Sequence, residues 1–152
     1  EACNQFLLDY GLDDAGKGRC EALDGTAVII AGRDEPSLPP ALETSSMLRK
    51  TVYGVADQET LDAIAEELGK DREVNKLDDG SLETVDDLGF VLGFQVSVRK
   101  KLSLPALKTN LPGSSDQRPI NDVAVNAKAQ PKPVSLSHVV YIVPDYTKGE
   151  AF

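Results

Sequence analysis

Three stretches of this chain carry residue types at spacings that suggest chemistry. Gly11-Leu-Asp-Asp-Ala-Gly16-Lys17-Gly18 nearly repeats the phosphate-cradling pattern G-x-x-x-x-G-K-[ST]. In that pattern backbone N–H groups surround the phosphates and a hydroxyl holds magnesium. Here Gly18 stands where the hydroxyl belongs, and Asp13 and Asp14 would repel phosphate. Residues 19–23 are cut short by Asp24-Gly25, which leaves only a stub of helix, so the stretch reads as a glycine-rich turn. Asn75 to Asp86 shadows a calcium loop, with Gly80 at the sharp turn, Asp79 before it and Leu82 at the apolar position. Leu77, however, occupies an oxygen-donating position, and Asp86 replaces the bidentate Glu. A solvated Asp-Asp-Gly turn fits better.

The third stretch surrounds His138, the only histidine, in Val134-Ser-Leu-Ser-His-Val-Val-Tyr-Ile-Val143. Alternation sets it with Leu136, Val140 and Ile142 on the more apolar face of a strand, where a lone His is a half-buried structural residue. No ligand spacing suggests zinc, and no Gly-x-Ser-x-Gly elbow supports a serine nucleophile. The acids between 57 and 87 are numerous enough to include a catalytic pair, yet their crowding reads as a solvated face, and Trp is absent. No catalytic, cofactor-binding or metal-binding residue is assigned, no cofactor is expected, and the reading leans away from an enzyme.

Cys3 and Cys20 are the only cysteines. An isolated pair points to a disulfide, which would close a short loop and stabilise the fold by roughly 3 kcal/mol. Two buried thiols are the alternative. The disulfide is the expectation, and with it an oxidising, extracellular or virion setting, the cytoplasm not being excluded.

Charge is sorted along the chain. Residues 54–88 hold twelve acids against three bases, the equivalent of the whole chain's −9, whereas residues 89–152 hold eight bases against four acids. An acidic middle and a basic end can attract copies of the molecule or a charged partner. The interface candidates are Arg99, Lys100, Lys101 and Lys108 on the basic side, and Asp78, Asp79, Asp86 and Asp87 on the acidic side. The acidic balance disfavours general nucleic-acid binding, and the longest apolar runs are too short for a transmembrane segment.

The elements that must position these residues are legible in part. Residues 6–10 suit a short helix or strand. Residues 26–31 form a β-branched run between Gly25 and Gly32 and read as a buried strand. Pro36, Pro39 and Pro40 make a loop. Residues 57–68 give the best helix, with Asp57 as N-cap, Leu61, Ile64, Ala65 and Leu68 on one face, and Gly69 as a natural C′ residue. A shorter helix is expected over about 42–53. Residues 90–98 give the best strand, with Phe90, Leu92, Phe94, Val96 and Val98 on the core face. Another strand is expected over 134–143, and a short one around 120–125.

The fold class expected is α+β: a largely antiparallel sheet with one or two covering helices in a single domain over 1–152, residues 102–133 forming an extended Pro-containing segment or arm. The function expected is a non-enzymatic assembly subunit of an extracellular filament, pilus or virion. It would associate as a homo-oligomer or with other protein subunits through complementary acidic and basic faces. The alternative is a secreted small-ligand binding domain or small hydrolase using the Gly-rich loop or a carboxylate cleft.

Overall fold

The computed structural model of the protein describes residues 1–41, 46–97, 99–104 and 130–152. They fall into two units, Glu1–Ile30 with Arg99–Leu136, and Ala31–Val98 with Ser137–Phe152. Among the described residues there are three helices and two sheets, a mixed α+β content as the sequence implies.

The first unit begins with helix α1, Ala2–Asp9. It ends in a Schellman motif: Gly11, at φ +105, donates its N–H to the Leu8 carbonyl, and Leu12 donates to that of Leu7. The motif turns Leu12 inward, where it joins Cys20 and Ala22 in a small core covered by Leu7, Leu8 and Leu136. Strands β1 (Asp13–Asp14), β2 (Arg19–Glu21) and β3 (Ala27–Ile29) form an antiparallel sheet in that order. Residues 19–21 are therefore strand rather than a stub of helix. The run at 26–31 is an edge strand, with Ile29 63% exposed, not the buried strand its composition implied. The buried position of this sheet is Cys20 on the central strand.

The second unit is built on β4 (Lys50–Val55), α2 (Gln58–Leu68), β5 (Asn75–Lys76), β6 (Leu82–Val85) and β7 (Val91–Val96), with α3 (Tyr146–Ala151) at its end. The sheet order is β4-β7-β6-β5, with β4 and β7 parallel and the other pairs antiparallel. Asp57 caps α2, its carboxylate accepting the Thr60 N–H at 2.8 Å. Gly69 closes it with helical φ, so the left-handed conformation expected there is not used. The helix packs on β4, β6 and β7 and buries Leu61. Thr51, Leu82, Thr84 and Leu92 are buried on one face of the sheet, the face assigned to the core from the alternation in residues 90–98, although Val96, at the end of β7 on that face, is exposed.

Two expected elements differ. Residues 50–55 are strand β4, not the end of a helix, because the sequence Thr-Val-Tyr-Gly-Val favours a pleated surface and crowds a helix. Residues 134–143 carry no strand ladder among the described residues. Their start is tied by the Leu23 and Asp24 N–H groups donating to the Pro133 and Val134 carbonyls and by the Leu136 N–H donating to the Thr26 hydroxyl. The strand expected around 120–125, most of the 102–133 arm, Val98 and Lys108 lie outside the described residues.

Candidate functional site

The glycine-rich residues 11–18 are shaped by the β1–β2 hairpin. Gly16 N–H donates to Asp14 Oδ1 at 2.8 Å, and the Ala15 and Arg19 N–H groups donate to the Arg19 and Gly16 carbonyls. These donors are thus engaged within the hairpin. Gly18, at φ +76, lies so close to β3 that a Cβ would sit 2.4 Å from the Ile30 carbonyl oxygen. An open cleft of about 450 Å³ beside the turn is lined by groups of both signs, Asp14 and Lys17, with Asn4 and Gln5.

The calcium-like stretch is likewise a turn. Asp79 accepts from the Ser81 N–H and hydroxyl at 2.9 and 2.6 Å, which hold its carboxyl below the usual value. Asp86 accepts from the Leu88 and Phe90 N–H groups at 2.9 and 2.7 Å. These carboxylates organise backbone. Among the described residues no group of three or more His, Cys, Asp or Glu side chains is placed to hold a metal ion, and no helix is long and apolar enough to cross a membrane.

Most of the interface candidates have work inside their own unit. In the first, Lys100 pairs with Glu21 at 2.5 Å and donates its N–H to the Asp24 carbonyl, while Arg99 adds a favourable charge near the Asp24 carboxylate. Lys101 is exposed. In the second, Asp87 meets Arg72 at 3.2 Å, and that guanidinium also grips Asp71 and lies 4.6 Å from the centre of the Phe152 ring. Asp78 is exposed. The expected disulfide is absent: Cys3 is exposed on α1, whereas Cys20 is buried. Adjacent helical positions diverge by about 100°, so Asn4 is the side chain that reaches the thiol, its Oδ1 3.4 Å from Cys20 Sγ.

Two arrangements in the second unit were not foreseen. The first lies on the sheet face opposite the buried residues. Lys50 on β4 reaches across β7 to pair with Glu83 on β6, each side chain about one-fifth exposed, at 22% and 21%. Gly93 opens the path, since a Cβ there would lie 3.3 Å from Lys50 Cε and 3.1 Å from Val52 Cγ2. Burial lowers the Lys50 pKa, with the Asp79 charge acting in the opposite sense. The pair ties three strands together. Among the described residues no third side chain hydrogen-bonds to it, so it lacks the orienting partner that acid–base or nucleophilic chemistry requires.

The second arrangement is residues 137–143. Tyr141 is held by its hydroxyl at the Thr51 hydroxyl and by its ring, 4.8 Å from that of Phe90. On either side Val140 is 86% and Ile142 96% exposed. His138 is exposed too, with Nδ1 2.9 Å from the Ser137 hydroxyl, so the half-buried role expected for it does not hold. The β-branched density of the run was visible in the sequence. Its lack of a ladder was not, because pairing depends on strands distant in the chain.

Comparison with protein-family models, curated proteins and solved structures gives no match to this chain.

Proposed function

We propose that the protein is a non-enzymatic assembly subunit that joins other protein subunits, copies of itself included. The observation that carries this reading is the exposure of Val140 and Ile142 on either side of an anchored Tyr141. Isolated exposed aliphatics are ordinary. Two on a β-branched segment, held in place by the residue between them, make a preformed contact element. The charge sorting supplies steering: the acidic surface of residues 57–87 and the basic residues Arg99, Lys100 and Lys101 favour approach to complementary surfaces. The extracellular filament, pilus or virion setting no longer draws support from a disulfide, and the proposal rests on the surface alone. Light scattering across a concentration series tests it. Mass should rise with concentration, and the rate of association should fall as salt screens the steering charges. A chain that remains monomeric throughout, with no partner recovered, overturns it.

A further inference from the structure

We infer that copies of this chain associate by strand addition, residues 137–143 of one copy pairing along the outer edge of β4 in another. The inference rests on the assembly reading and names its partner. Both halves of such a joint are present in the second unit. Among the described residues β4 has a ladder partner only in β7, and the other row of its main-chain N–H and C=O groups has no ladder partner among them. Three of the usual means of blunting an edge, a proline, a bulge and an outward charge, are missing from it. It has no proline, its register with β7 runs without a bulge, and its one charge, Lys50, is drawn back across the sheet to Glu83.

The complement is Ser-His-Val-Val-Tyr-Ile-Val, seven residues against the six of β4, rich in β-branched side chains and without a ladder of its own among the described residues. Within one copy the segment meets its sheet through the Tyr141 side chain, at Thr51 and Phe90. A second copy is the occupant the chain itself supplies, since each copy carries both the edge and the unpaired segment. Neither β4 nor residues 137–143 contain an acid, so the joint adds no local like-charge contact to the −9 of each copy. Reciprocal addition closes a two-fold dimer, and head-to-tail addition propagates a filament.

Hydrogen exchange on the whole chain, compared between a dilute sample and one about a hundredfold more concentrated, tests the pairing. The amides of residues 50–55 and 137–143 should gain protection together as mass rises. Val140→Pro removes a ladder donor at an exposed position and should weaken association at least about tenfold, with an unchanged far-ultraviolet spectrum. Association without protection of both segments, or Val140→Pro associating as tightly as the natural chain, overturns the strand pairing and leaves the assembly reading standing. A natural chain that never associates overturns both.

Discussion

Asp24 shows how the acids of this chain are used. Its carboxylate accepts the Thr26 N–H and hydroxyl at 3.0 and 2.7 Å, and the Thr26 hydroxyl in turn accepts the Leu136 N–H. Burial alone would raise the Asp24 pKa, but the Thr26 and Ser135 donors and the Arg99 charge outweigh it, and the net shift is downward. A carboxyl with a lowered folded pKa contributes its stability in full above the ordinary value of 3.8, and loses it as pH falls through the folded value. Asp24→Ala should therefore cost about 1–3 kcal/mol at neutral pH, since it orphans the part-buried Thr26 donors. Thermal unfolding from neutral to strongly acidic pH should show a shallower acid limb in the variant; an unchanged melting temperature would contradict a stabilising role for the Asp24 carboxylate. The cysteines give a second check at this scale. A thiol reagent should label Cys3 in the folded protein and Cys20 only after unfolding, and an intact mass that rises by two hydrogens on reduction would contradict the separation seen here.

At the scale of elements, the hairpin joining β1 to β2 depends on Gly18 more than on Gly16. Both have positive φ, but an added Cβ meets the Ile30 carbonyl oxygen at Gly18 and nothing within 4 Å at Gly16. Gly18→Ala should thus destabilise by about 1–3 kcal/mol beyond the strain common to the two variants. Equal melting temperatures for the two would contradict the close approach. Elements with local signals were legible in the sequence: α2, from its Asp57 cap and the spacing of Leu61, Ile64, Ala65 and Leu68, and β7, from its alternation. The Asp-Asp-Gly turn at 78–80 was legible for the same reason. What failed was non-local. The sequence reads β4 as the end of a helix because its parallel partner lies some forty residues away, and it implies for residues 134–143 a ladder that no local pattern can guarantee. The Lys50–Glu83 pair was hidden likewise, since it exists only through sheet register and the bare Cα of Gly93.

Over the whole chain, the acid excess that stands out in the sequence has two parts. One part is structural: Asp57, Asp79 and Asp86 hold turns or a helix cap, and Asp71, Asp87 and Glu83 pair with Arg72 and Lys50. The remainder is surface charge, which sets the rate and direction of encounter rather than the strength of a joint. The assembly account therefore places the joint on uncharged residues and reduces charge to guidance. Its central claim is that Val140 and Ile142 make the contact. Sedimentation velocity on the natural chain beside Val140→Lys/Ile142→Lys measures this most directly. Two lysines at positions 86% and 96% exposed should leave each folded copy intact. The account predicts a concentration-dependent rise in sedimentation coefficient for the natural chain, and a single monomeric boundary for the variant at every concentration. A variant that associates as the natural chain does would contradict it.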